Sequence, residues 1–433
     1  MPLKISRSKL FIVFLSLLLI PYFQNLSNAQ SAYFWLLTLL LYFYFSCMLL
    51  SSKHIINPLS IFFPFILSFY YYQFMLSSKQ SELNSFTIIA VFLFIFSYVF
   101  SYFFIIYNKR YILNKTQKKD DTIRKGYLDF VFILAFLVFM FECYMSGGFP
   151  FFIALFYRVN IYADMYHVPI AHYLVMLSAV FPCLYYHLKK NRRISNFKFY
   201  LFSFVSVFIL LNIMSRQIMI MSSIFLFMVY SRENGLNVNK YVVRFAGAIA
   251  ILFMVLGFIR IQSINDDVSQ LDYLKAYAGV PKEREVTSFD VTFNLYTSQN
   301  ISTLNDIISQ SDSLGFGKYF FQSLIKIFKF DQVFSINYPV HLDSFTRLGT
   351  IVADPYLDFD VLGVMVFAFA YGVINTILYL KYNYTNGLMY TLLWSLALFV
   401  MLMSVFTNFY NLLFTWIVAF MSIFIIKNKA KFS

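Results

Sequence analysis

The sequence predicts an all-α, polytopic integral membrane protein with about twelve transmembrane helices and one long helical loop outside the membrane. Three observations predict it. The 433 residues are 60% hydrophobic and only 12% charged, with a mean hydropathy of +0.68, whereas soluble chains average about 45–50% apolar and about 25% charged residues. So little charge cannot cover water-soluble domains, which excludes a soluble enzyme, a disordered chain and a disulfide scaffold. The apolar runs are continuous over about 17–25 residues, the length that crosses a hydrocarbon core of about 30 Å, and they do not alternate as barrel strands do. Finally, the basic residues concentrate in every second joint between runs.

Runs of this kind lie near 10–26, 33–50, 58–76, 86–107, 127–145, 169–188, 198–214, 217–231, 245–262, 359–380, 388–406 and 409–426. The basic segments are the N-terminus (Lys4, Arg7, Lys9), the stretch from Lys109 to Lys125, Lys189–Arg193, Arg232 to Arg244, and the tail Lys427, Lys429, Lys431. The positive-inside rule makes them cytoplasmic, with both termini inside. On that assignment 23 of the 34 basic residues face inward against four acids (Asp120, Asp121, Asp129, Glu233), a balance of +19. The other 11 basic and 16 acidic residues give −5 outside. The net charge of +14 is therefore a topology signal and calls for no nucleic acid. Residues 1–29 also read as a signal peptide, with a basic start, an apolar core Leu10–Ile20 and a small-residue site at Ser27–Asn28–Ala29. In a multi-span protein such a segment is expected to stay as an anchor. Cys47, Cys143 and Cys183 fall inside apolar runs, without CxxC spacing, as core residues.

The implied organisation is a bundle over 1–261 with an external joint at 146–168, an external loop over 262–358, and a second bundle with a cytoplasmic tail over 359–433. Within the long loop, Val268, Leu271, Leu274 and Ala278 share a helical face. Tyr319–Phe321, Leu324, Ile327 and Phe328 form an apolar stripe beside Lys318, Lys326 and Lys329. The second pattern fits a helix in the lipid headgroup plane or one packed on the bundle.

Basic residues on the acidic external side carry the functional signal. Arg158 follows Ser146–Gly147–Gly148–Phe149–Pro150, Arg216 occupies the turn between the runs at 198–214 and 217–231, and Arg260 ends the run at 245–262. The two runs around Arg216 are short, with arms of about 22–24 Å, which predicts a recessed guanidinium. Arginine is planar, permanently charged and matches phosphate oxygens at two points. An ion pair with Glu142 or Asp164 is the competing account of Arg158. In the long loop, Lys282–Glu285 reads as a solvated mixed-charge face, while His341, Asp343 and Arg347 cluster as a base with a phosphate clamp or as ordinary loop residues. His167 and His172 read as interfacial residues rather than ligands. Asp354, Asp358 and Asp360 surround the point where the chain re-enters the membrane. No metal-ligand spacing and no GxxxxGK phosphate loop is present.

These features resemble the O-antigen polymerases (Wzy-type) of the oligosaccharide repeat-unit polymerase family. The likeness rests on the architecture, on Ser146–Pro150 followed by Arg158, on Ser215–Arg216, and on Pro355–Tyr356–Leu357–Asp358–Phe359–Asp360–Val361–Leu362–Gly363 leading to Tyr371–Gly372. Asp360 stands where the family commonly has glycine. The resemblance implies an inverting, metal-independent glycosyltransferase of the bacterial inner membrane, without cofactor. It would polymerise undecaprenyl-pyrophosphate-linked oligosaccharide units into surface polysaccharide for lipopolysaccharide biosynthesis, with a chain-length regulator as a partner. It implies pyrophosphate binding by Arg158, Arg216, Arg260 and Arg347, and acceptor activation by His341 and Asp358. An O-antigen ligase and a flippase for the same lipid-linked unit are the competing readings. The scarcity of charge at the centres of the runs weighs against a translocation path.

Overall fold

The computed structural model describes residues 56–72, 80, 82–109, 120–157, 165–213, 215–260, 269–311, 313–330, 349–385 and 387–429. In chain order the helices are α1 (Phe62–Tyr72), α2 (Ser85–Tyr107), α3 (Lys125–Met145), α4 (Pro150–Tyr157), α5 (His172–Met176), α6 (Phe181–Lys190), α7 (Asn196–Ile213), α8 (Arg216–Glu233), α9 (Val238–Arg260), α10 (Gln270–Ala278), α11 (Ser288–Tyr296), α12 (Ser298–Gln310), α13 (Gln322–Ile327), α14 (Ala353–Thr385), α15 (Leu388–Leu402) and α16 (Leu413–Ile425). Strands β1 (Asp120–Ile123) and β2 (Ile426–Lys429) pair antiparallel, with Ile123 opposite Ile426 and Asp120 opposite Lys429.

Among the described residues, α2, α3, α7 and α14 are long and apolar enough to cross a membrane. That is fewer than the twelve spans the sequence predicts. The expected spans 10–26 and 33–50 lie outside the described residues. The run at 58–76 yields an 11-residue α1. The run at 169–188 is broken by a positive φ at Ile170, a 3-10 turn at Leu177–Ala179 and Pro182 in the first turn of α6. The last two runs give helices of 15 and 13 residues, about 22 and 20 Å at 1.5 Å per residue. Helix α8 covers 217–231 but carries Arg216, Arg232 and Glu233 at its ends, and α9 covers most of 245–262. The outward side chains of α3 and α7 are apolar, Phe130, Ile133, Leu137, Phe141, Phe204 and Val207 among them. Such a surface suits lipid rather than water.

The chain divides into two interleaved compact units. The first draws its described residues from Met1–Tyr107, Leu274–Thr376 and Val400–Asn411, the second from Asn108–Tyr273, Ile377–Phe399 and Leu412–Ser433. In the first unit the long loop does not stand apart. Helices α11 and α12 pack on α1, and α12 also on α2, through a buried polar seam. Gln80 Nε2 donates to Ser298 Oγ (3.0 Å), Thr87 Oγ1 donates to Asn305 Oδ1 (2.8 Å), and the Asn84 N–H donates to the same oxygen (2.7 Å). Buried Lys275 donates to the carbonyls of Lys282 and Arg284 at 3.0 and 2.7 Å, so it holds the loop whose Lys282, Glu283 and Glu285 are solvated. The stripe around α13 stays uncovered, with Phe321, Leu324 and Phe328 exposed.

In the second unit the ends of α3 gather different groups. At 21 residues α3 is about 31 Å long. At its N-terminal end β1 meets β2, Lys198 bridges Asp129 at 2.7 Å, and the Tyr185 hydroxyl donates to Asp129 at 3.0 Å. His187 pairs with Glu233 at 3.0 Å and Lys190 donates to Asn234 at 2.9 Å. These contacts join segments that the charge pattern assigns to one side of a membrane.

Candidate functional site

At the C-terminal end of α3 the chain reverses through Ser146–Gly147–Gly148–Phe149–Pro150. Gly147 has φ +80°, its N–H reaches Tyr144 O (3.2 Å), and the Gly148 N–H reaches Cys143 O (2.9 Å). This is the Schellman arrangement, which needs a left-handed residue after the cap. Pro150 then opens α4, where its fixed φ suits a first helical position and its missing N–H has no partner to lose. The glycine–proline motif is thus a helix stop followed by a helix start. It points α4 toward Arg158, which lies outside the described residues.

Helix α4 packs on both α7 and α9, and α8 packs on α9. The Phe151 N–H donates to Asn212 Oδ1 at 3.2 Å, and Asn212 is fully buried, four residues before Arg216. The element leading to Arg158 therefore rests on the helix leading to Arg216 and on the helix that ends at Arg260. Arg216 itself opens α8 and is buried, 4% exposed. The helices flanking the turn have 18 residues each, about 27 Å, longer than the 22–24 Å expected. The Ser215 side chain makes no capping bond, and a cation at a helix N-terminus adds to the positive end of the macrodipole instead of offsetting it. Guanidinium and first-turn N–H groups together favour an anion. The Arg260 side chain lies outside the described residues.

Beside this group, Glu142 is fully buried in the last turn of α3. Its carboxylate meets His172 Nδ1 at 2.9 and 3.1 Å and accepts the Val168 N–H at 2.9 Å. Glu142 is thus engaged by His172 and a backbone amide; the pairing with Arg158 weighed from sequence falls outside the described residues. Ser146 Oγ donates to Glu142 O (2.7 Å) and accepts the Tyr166 N–H (2.9 Å). His167 lies against His172 with ring centroids 4.1 Å apart and planes tilted by 47°. Partial desolvation above all, then His172, pushes His167 below its ordinary pKa, with Glu142 opposing. Donor atoms of Glu142, His167 and His172 all come within 4.8 Å of one another. The sequence did not announce this, because Glu142 lies thirty residues from His172.

Of the other predicted residues, Asp358 belongs to the first unit. His341 and Arg347 lie outside the described residues. Asp358 is fully buried, and its carboxylate oxygens accept the N–H groups of Tyr319 (3.1 Å) and Phe320 (2.8 Å). The Gly315 and Phe316 N–H groups donate to the carbonyls of Leu357 and Asp358. This geometry makes Asp358 an anchor for the 315–321 loop, with both oxygens engaged. Asp354 is buried and accepts from Asn411 Nδ2 at 2.9 Å, while Asp360 is exposed. Asp360 has φ +55°, ψ −151°, at a kink that divides α14. That backbone region is nearly reserved for glycine. A Cβ on Gly363 would lie 2.2 Å from Pro355 O, and one on Gly372 would lie 1.9 Å from Ser101 Oγ and 2.7 Å from Tyr98 O. The glycines of the re-entry motif therefore permit the close return of α14 on itself and the close approach of α14 to α2, as small residues do between membrane helices.

A buried tyrosine–amide network, which the sequence reading missed, also lies in the first unit. Asn375 Nδ2 donates to the Tyr98 hydroxyl at 2.9 Å, Tyr410 donates to Asn375 Oδ1, and Asn408 Nδ2 donates to the Tyr371 hydroxyl at 3.3 Å. Tyr371 stacks on Tyr410 with centroids 4.3 Å apart. No periodic pattern signals it, since the partners are far apart in the chain. No protein-family model, curated protein or solved structure matches this chain.

Proposed function

We propose that this chain is a membrane glycosyltransferase that polymerises oligosaccharide repeat units carried on undecaprenyl pyrophosphate, acting at the external face of the bacterial inner membrane. The observation that carries the reading is the packing of α4 on α7 and α9. It sets the helix that precedes Arg158 in the chain against the helix that precedes Arg216 and the one that ends at Arg260, and Arg216 is buried at a helix N-terminus. In the reaction an acceptor hydroxyl attacks the anomeric carbon of the donor sugar, and the bond from that carbon to the pyrophosphate oxygen breaks. The electron pair leaves with the lipid pyrophosphate, and the hydroxyl proton passes to a base, for which His341 is the candidate. Charge grows on the leaving oxygen as the bond breaks, and fixed guanidinium groups stabilise it most at that stage. Arg347 is a further phosphate ligand on this reading. The engaged carboxylate of Asp358 fits loop positioning better than proton transfer.

The test is the banding of surface polysaccharide from a deletion strain complemented with variants. Deletion should leave lipopolysaccharide capped by a single repeat unit; loss of every surface unit would point instead to the ligase or flippase. Arg216→Ala should lower chain growth by about 10²–10³-fold, the scale of removing one donor to a developing oxyanion. Arg216→Lys should restore it only in part, because a point charge lacks the two-point fork. Full activity of the alanine variant would overturn the pyrophosphate assignment.

A further inference from the structure

We propose that Glu142, His167 and His172 form a site for a zinc-class divalent transition metal at the C-terminal end of α3. The donor set is two imidazoles and one carboxylate, which with a water completes the four-coordinate shell that zinc favours. In a tetrahedral shell with bonds of about 2.0–2.1 Å, adjacent donor atoms lie about 3.3 Å apart. His172 Nδ1 lies 2.9 and 3.1 Å from the two Glu142 oxygens, already near that spacing. The full set falls within 4.8 Å, so binding requires the exposed His167 ring to close the remainder. Val168 N–H to Glu142 Oε1, at 2.9 Å, supplies the outer hydrogen bond that orients a ligating carboxylate. Burial is graded in the way an accessible site requires: Glu142 is buried, His172 partly covered and His167 exposed, which leaves a route of entry from solvent.

The cation is structural on this reading. It ties the 165–168 segment and the start of α5 to the last turn of α3, next to the Ser146 bond that already holds Tyr166. It thereby fixes both ends of the external joint 146–168, and it does not rest on the glycan reading. The competing account is a hydrogen-bonded His–Glu pair that takes no metal.

The experiment uses the full chain in detergent, stripped with chelator and titrated with Zn²⁺ alone by calorimetry, with Co²⁺ as the spectroscopic probe. One equivalent should bind, and cobalt should give the intense visible bands of a four-coordinate site. Because His167 is exposed, His167→Ala should fold normally and lose affinity by at least about 100-fold, beyond the range of outer-shell losses. His172→Gln should do the same, while His187→Gln, in the other His–Glu pair, should bind as the parent does. Failure of the parent to bind one equivalent, six-coordinate cobalt spectra, or unchanged binding by His167→Ala would each overturn the site.

Discussion

Replacing Gly363 by alanine is expected to destabilise the first unit by about 3 kcal/mol, at the upper end of the usual overpacking range. The added Cβ would lie 2.2 Å from the Pro355 carbonyl oxygen, 3.1 Å from the Pro355 carbonyl carbon and 2.8 Å from Phe359 Cβ. A carbon–oxygen contact needs about 3.3 Å even when it is attractive, so the two arms of α14 must part by about 1 Å. The obstacle is main chain, which no rotamer change can clear. The arm that would have to move is held by Asn411 on Asp354 and by the Tyr319 and Phe320 amides on Asp358. At about 2–4 °C per kcal/mol for a unit of this size, the unfolding midpoint should fall by about 6–12 °C. The assay is heating of the purified protein in detergent, followed by the fraction that remains monodisperse. Gly247→Ala is the control, because nothing lies within 4 Å of its Cβ. There the helix propensity of alanine should leave the midpoint unchanged or raise it. A Gly363→Ala protein that melts with the parent would refute the close return of α14.

Asp360→Gly should raise the midpoint, since a non-glycine residue in that backbone region costs about 1–3 kcal/mol and glycine returns about 0.5–1 kcal/mol of it as chain entropy; Asp360→Ala, which keeps a Cβ, should not, and a lower midpoint for the glycine variant would show that the strain is not there. Glu233→Gln should cost about 1–2 kcal/mol at pH 7. Burial, the largest influence, raises the Glu233 pKa, but the hydrogen bond and charge of His187, with Arg232 and Lys190, outweigh it and hold the carboxyl below its ordinary 4.5. A depressed folded value gives stabilisation that is complete above that ordinary value and is lost as pH falls through the folded one. The gap between parent and variant should therefore close below about pH 4.5, and a gap independent of pH would refute the pairing.

The helices that the sequence located well are those whose information is local. The expected runs 86–107, 127–145 and 198–214 became helices beginning one or two residues earlier, at Ser85, Lys125 and Asn196, because an unbroken apolar run of that length has one folded solution in lipid. Glycine at a helix end is equally local, and Gly147–Gly148 could have been assigned a cap from the rule alone. What local reading could not supply was pairing over distance. Nothing near Glu142 names His172 as its partner, and nothing near Asp358 names the amides of Tyr319 and Phe320. Hydropathy likewise cannot see that the run at 169–188 is divided by Ile170, a 3-10 turn and Pro182, since all of these leave the run apolar. The short arms expected around Arg216 were not there: the helices on either side of the turn have 18 residues each, because the ends of a helix in an apolar run are set by packing and not by hydropathy alone.

The pairing of β1 with β2 bears on how such a chain is made. Asp120–Ile123 finds its partner only at Ile426–Lys429, and each compact unit is assembled from three separated stretches. Synthesis delivers the middle of the second unit long before its closing strand, so the helices from α3 to α9 must wait in the membrane while some 170 further residues emerge. Contacts across such separations are slow to form and leave surfaces open in the meantime. Neither unit corresponds to a continuous piece of the gene. Shortening the chain from its C-terminal side would therefore remove a strand that the first third of the sequence depends on.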